Sequence, residues 1–165
     1  MGQVILGGTD LALFTGHTVN KVDRKGRVSV PANFRNELAK LSFPGIVVYP
    51  SPEGLPALDG AGIDWLENLS ANFGSSNPFA PKLTKSRMAL FGQVERLSFD
   101  PEGRVILTRE LMDHAHIRDS ATFIGMGATF KVCNPETGEV MLNDAIAGAS
   151  AEFDDATRNG APEGG

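Results

Sequence analysis

Asp23 and Arg27 stand four residues apart, and so do Asp100 and Arg104, with Gly26 and Gly103 at the same place inside each run. An arginine guanidinium is a planar fork of donors that matches a phosphate or the edge of a guanine. In the first run Arg24, Lys25 and Arg27 place three cations on and beside one turn. The second run carries Pro101 and Glu102 where the first has Arg24 and Lys25, so only Arg104 remains. Contact with DNA is therefore expected from Arg24, Lys25 and Arg27. Asp23, Gly26, Asp100, Gly103 and Arg104 are the shared motif, serving the turn or the DNA. Each Arg can also be held by a carboxylate, and that reading is the stronger one for Arg104.

These residues must sit on hairpins. Asp at the first place of a type I turn accepts a backbone N–H with its carboxylate, and Gly three places on tolerates the positive φ that closes a bulged hairpin. In Val22-Asp23-Arg24-Lys25-Gly26-Arg27-Val28-Ser29-Val30-Pro31 the alternation after the turn predicts a half-buried strand, and Pro31 suits a helix start. Phe99-Asp100-Pro101-Glu102-Gly103-Arg104-Val105-Ile106-Leu107-Thr108 repeats the pattern. A hairpin that runs into a helix twice is a duplication signal.

The remaining elements follow from periodicity. Strands are expected over 16–22, 28–30, 46–49, an edge segment 55–58, 94–99, 105–107, 122–124 and 129–132. Helices are expected over 31–40, 59–73, 82–91, from Thr108, and around Leu142, Ile146, Ala149 and Phe153. The organisation read is a flexible lead-in 1–15, a first repeat 16–73, a linker 74–81, a second repeat 82–153 and a disordered acidic tail 154–165. The expected fold class is mixed α/β with two pseudo-repeats.

The net charge is −5, which taken alone argues mildly against a nucleic-acid partner. Its distribution argues the other way. Lys21, Arg24, Lys25, Arg27, Arg35 and Lys40 oppose only Asp23 and Glu37 over 21–40. Glu139, Asp144, Glu152, Asp154, Asp155 and Glu163 oppose only Arg158 from 139 onward. A local basic patch is the footprint that matters for DNA. A single cysteine, Cys133, permits no internal disulfide and is expected in the core. No apolar run is long enough to span a bilayer, and no basic leader is read.

A catalytic or metal reading finds little to work with. His114 and His116 have only Asp113 and Asp119 nearby in sequence, with no second ligand pair at metal spacing. Gly125-Met126-Gly127-Ala128 lacks the third glycine of a dinucleotide loop and reads as a bend. No catalytic residue, metal ligand or cofactor is expected.

The paired Asp-x-x-x-Arg motif, with Val28-Ser29-Val30-Pro31 after the first and Ala89-Leu90-Phe91-Gly92 before the second, resembles the MraZ family. These are bacterial transcription regulators built of two SpoVT–AbrB-type domains, and the resemblance covers roughly residues 16–136. Cys133 departs from it, since an aromatic is common there in the family. The resemblance implies a swapped-hairpin β-barrel core and ring-shaped homo-oligomers in the cytoplasm, associated with the nucleoid. It also implies binding to repeated double-stranded DNA boxes upstream of cell-division and cell-wall genes. The alternatives are an AbrB-type antitoxin, which would usually have one domain, and, outside DNA binding, a structural ring or a barrel enzyme.

Overall fold

The computed structural model of the chain describes residues 11–74 and 81–160. In chain order these form β1 (His17–Lys21), β2 (Arg27–Ser29), α1 (Ala32–Leu38), β3 (Gly45–Pro50), β4 (Ala57–Ala61), α2 (Ile63–Gly74), α3 (Pro81–Phe91), β5 (Glu95–Ser98), β6 (Arg104–Ile106), α4 (Arg109–His114), β7 (Ser120–Gly125), β8 (Phe130–Cys133) and α5 (Pro135–Gly160). The fold is mixed α/β, as expected, and every strand pairing is antiparallel.

The two halves interleave. The larger sheet runs β1-β7-β8-β4-β3-β5, and β2 pairs with β6 in a separate two-stranded ribbon. Exchanging the halves leaves this order unchanged when it is read from the other end, so the duplication seen in sequence is a pseudo-twofold axis in space. Val28 lies opposite Val105, its own counterpart in the second motif. Asp59 lies opposite Lys131 on the central β4–β8 pair. The boundary expected at 74–81 separates α2 from α3, and 75–80 lie outside the described residues.

One main core serves both halves. Phe14, Phe34, Phe123 and Phe130 are buried and touch edge to face or tilted, with centroids 4.9 to 6.3 Å apart. Such ring contacts add to the burial of large apolar area. Val28 and Val105 from the ribbon join the same cluster, as do Ile46, Val48, Leu58 and Val132 from the sheet. Sheet and ribbon therefore close on each other through side chains. Outside the sheet, Trp65 of α2 stacks on Tyr49 of β3 with centroids 5.6 Å apart and planes 7° apart. Thr108 caps α4 by accepting from Leu111 N at 3.2 Å, as its residue type predicts.

Four expectations are corrected. Residues 11–15 of the expected flexible lead-in are anchored, because burying the Phe14 ring outweighs chain freedom there. Phe14 N donates to Gly127 O at 2.7 Å, Gly127 N donates back at 3.0 Å, and Ala12 N and Leu13 N bind the Asp64 and Glu37 carboxylates. Gly125 permits the approach, since a Cβ there would lie 2.5 Å from the Phe14 backbone. Residues 1–10 lie outside the described residues.

At the other end, α5 continues to Gly160 through the start of the expected disordered tail. The run that leads into it holds Ala145, Ala147, Ala149 and Ala151, and alanine favours helix most. Residues 161–165 lie outside the described residues. The segment expected as an edge strand over 55–58 overlaps only the start of β4 (Ala57–Ala61), which is central between β3 and β8. Asp59, read as a helix start, is in that strand, and the helix begins only at Ile63 after Gly60 and Gly62.

Asp59 tolerates this place because Lys131 faces it. The Lys131 ammonium donates to Asp59 Oδ1 at 2.6 Å, Glu53 Oε1 at 2.8 Å and Ser51 Oγ at 3.1 Å, and Ser51 Oγ also donates to Glu53. Burial pushes the Asp59 carboxyl above the ordinary carboxylate range. For Lys131 burial acts the other way, but its bonds to Asp59 and Glu53 outweigh it and keep the ammonium charged. Cys133 is buried, and that burial raises its thiol to about 11, so it is inert core. Among the described residues no helix is long and apolar enough to cross a membrane.

Candidate nucleic-acid interface

Both Asp-x-x-x-Arg runs fold into the same clamp. In the first, Asp23 N donates to Arg27 O at 3.0 Å and Gly26 N to Asp23 O at 3.0 Å, closing the turn. Asp23 Oδ1 accepts from Lys25 N and Arg27 N, each at 2.9 Å, and Oδ2 accepts from Arg27 Nε at 2.6 Å. In the second, Asp100 Oδ1 accepts from Glu102 N and Arg104 N at 2.9 Å, and Oδ2 from Arg104 Nε at 2.7 Å. The backbone N–H of Arg27 is the main cause that holds Asp23 below the usual carboxylate range, and Arg104 does the same for Asp100.

Gly26 has φ +85°, and a Cβ there would meet Leu107 O at 2.4 Å. That contact exists because Leu107 N donates to Gly26 O at 2.8 Å, tying the first turn to the second half. Val30 N donates to Gly103 O in return, at 3.3 Å. The glycines thus serve the turn and the close crossing of the two hairpins together.

The ribbon sets the direction of the arginines. Val28 and Val105 point into the core, so their neighbours Arg27, Ser29, Arg104 and Ile106 point out. Arg27 and Arg104 therefore stand on one face, lining a hollow of about 430 Å³ with Lys21, Ser29 and Asp119 among its walls. The sequence placed these arginines on separate repeats, and no local pattern could reveal that β2 and β6 pair.

The clamp leaves the two arginines unequal. Each spends Nε on its Asp, which fixes the stem and leaves the Nη atoms for other partners. Arg104 gives Nη2 to Glu102 at 3.2 Å, whereas Lys25 takes the place of Glu102 beside Arg27. The hydrogen bond to Asp100, with Glu102 and Asp23 adding to it, holds Arg104 above its ordinary pKa. Arg24 and Lys25 are exposed at the first tip. Among the described residues no group of three His, Cys, Asp or Glu is placed to hold a metal ion.

No protein-family model matches the chain. Individual relatives do. A transcriptional regulator MraZ from Rickettsia felis is 40% identical over 133 residues, covering 81% of this chain and 89% of the relative. One from Rickettsia canadensis is 38% identical over the same span. One from Rickettsia bellii strain OSU 85-389 is 42% identical over 126 residues, covering 76% of this chain and 83% of the relative. With paired Asp-x-x-x-Arg clamps on interleaved halves and relatives matched over most of both lengths, the chain belongs to the MraZ family.

Proposed function

We propose that this chain is a DNA-binding transcription regulator that reads duplex DNA with the outward face of the β2–β6 ribbon. The observation that carries this is the placement of Arg27 and Arg104 on one outward face of a two-stranded ribbon, diagonal to each other with Arg27 opposite Ile106 and Arg104 opposite Ser29, each aimed by a carboxylate on its Nε. The major groove admits a two-stranded β-ribbon, and an Arg aimed this way can reach a guanine edge. Arg24 and Lys25 at the first tip, and Arg27 beside them, neutralise phosphates and fix the register. The first hairpin carries more of the DNA work, because Arg27 keeps its Nη atoms while Glu102 competes for those of Arg104.

The same reading makes the chain a homo-oligomer, a ring in particular, acting on the nucleoid in the cytoplasm. β1 and β5 are edge strands with one side unpaired, which another copy can extend. Several copies facing spaced boxes gain affinity through effective concentration. In this reading the boxes lie upstream of a cell-division and cell-wall gene cluster that the protein controls.

Fluorescence anisotropy with a labelled duplex from the region just upstream of the chain's own gene tests this. At about 150 mM salt that duplex is expected to bind on the order of 1,000-fold more tightly than a scrambled duplex of equal length, with light scattering reporting an assembly larger than the 17.5 kDa chain. Equal affinity for both duplexes would remove specific regulation, and a clean monomer would remove the ring.

A further inference from the structure

Adjoining the ribbon face at Asp23 lies a second hollow of about 560 Å³ between the first hairpin tip and α4. Arg24 and Lys25 line it from the tip, and Arg109 and Arg118 line it from the second half, with Met112 in its wall. All four cations are exposed, and neither Arg109 nor Arg118 forms an ion pair with a carboxylate of the described residues. Two carboxylates share the lining, Asp23 and Asp113, and Asp23 is already engaged by Arg27.

The pseudo-twofold axis supplies an internal comparison. At the matching place, between the second tip and α1, these four cations are absent. Pro101 and Glu102 replace Arg24 and Lys25, Ala32 replaces Arg109, and none of Leu41, Ser42, Phe43 and Pro44 before β3 is basic, whereas Arg118 stands just before β7. Arg35 takes the place of Met112 and lies down against Gly103, its Nε donating to Val30 O at 2.9 Å. Lys40 there is paired with Glu37. The two equivalent places thus differ: the first is an open hollow whose arginines have no carboxylate partner among the described residues, whereas at the second Arg35 and Lys40 each have an acceptor. Packing does not require the cations, since Arg109 and Arg118 are exposed.

We propose that the open hollow is a phosphate site that takes the DNA backbone flanking the base pairs read by the ribbon, with Arg109 and Arg118 as phosphate-contacting residues. The inference rests on the DNA reading above and adds to it residues from the second half. Guanidinium groups bind phosphodiester oxygens strongly and without regard to sequence. The hollow adjoins the ribbon face through Asp23, which lines both, so the two are close enough to serve one duplex.

The test is a salt titration of duplex binding by the intact chain, by the double variant Arg109→Ala with Arg118→Ala, by Lys85→Ala, an exposed lysine of α3, as the control, and by Arg27→Ala. The double variant is expected to flatten the slope of log affinity against log salt by roughly two, lower affinity on the order of tenfold, and leave discrimination between upstream and scrambled duplex unchanged. Lys85→Ala is expected to bind as the wild type does. A double variant with wild-type affinity and slope, while Arg27→Ala is weakened, would overturn the phosphate site and leave the DNA reading standing. A wild type that binds no duplex would overturn both. Inorganic phosphate, titrated against the wild type with NMR shifts read at the two arginines, separates the sources. Tight phosphate binding at both without any loss of duplex affinity in the double variant would make this a free-anion site and overturn the assignment to DNA. Thermal midpoints equal to wild type are expected for every variant in the hollow, because the altered side chains are exposed.

Discussion

Replacing Lys131 with Met should lower the stability of the fold by about 3–5 kcal/mol, the range for removing one partner of a buried ion pair. Lys131 and Asp59 are 5% and 7% exposed and face each other on the central strand pair. Without the ammonium, Asp59 keeps the cost of its burial and loses its 2.6 Å partner. Changing both, Lys131→Met with Asp59→Leu, should recover most of the loss, because replacing a whole buried pair with apolar groups is often close to neutral. Urea melts of the two variants check this. A single variant within about 1 kcal/mol of wild type would mean that the pair does little.

Glu53 and Asp59 act in opposite directions on the pH dependence, and the contribution that Lys131 adds to the acid limb is that of Glu53. The hydrogen bond from Lys131, then that from Ser51, holds Glu53 at about 2 against an ordinary 4.5. A depressed carboxyl pKa contributes stability above the unfolded value that is lost as pH falls through the folded one. The wild type should therefore lose this contribution between about pH 4.5 and 2, and Lys131→Met should have a flatter acid limb in that window.

The second large effect belongs to the first hairpin. Removing Arg24, Lys25 and Arg27 together should lower affinity for the upstream duplex on the order of 100-fold or more and flatten the salt slope by roughly two to three, because each lost phosphate contact takes about one from that slope. Arg104→Ala should cost less, since its guanidinium is shared with Glu102. Replacing Glu102 with Ala should leave binding unchanged or improve it, by freeing Arg104 and removing a charge that repels phosphate. Oligomer size, measured alongside, separates lost contacts from lost assembly. If Arg104→Ala abolished binding while the triple variant bound like wild type, the division of labour would be reversed.

Much of the local structure was legible in the residues. Asp and Gly predict each tight turn, Thr108 predicts its cap, and Gly125 with Gly127 predicts the bend before β8. Those signals are short-range, and the turn, the cap and the glycine conformation are decided within a few residues. What stayed hidden is what pairs across the repeats. The strands expected to pair across each turn, 16–22 with 28–30 and 94–99 with 105–107, pair elsewhere, as β1–β7, β2–β6 and β3–β5, because each finds its partner in the other half. Arg27 and Arg104 share a face only because β2 finds β6, a partner far along the chain. Phe14 is core only because Gly125 leaves room for its backbone. Asp59 looked like a helix start, since Asp is common there; Lys131, far away in sequence, gives it a partner inside the sheet. The basic hollow was invisible for the same reason, because Arg109 and Arg118 belong to a stretch with no charge run of its own.

The claim that the ribbon reads bases is tested most directly by the discrimination of Arg27→Ala between the upstream duplex and a scrambled one of equal length. A good base contact by an aimed Arg carries about 1–3 kcal/mol of discrimination. The ratio of the two affinities should therefore fall by about 5- to 150-fold, while binding to the scrambled duplex weakens only by about one phosphate contact. An unchanged ratio, with both affinities lowered equally, would make Arg27 a phosphate contact alone and contradict the account.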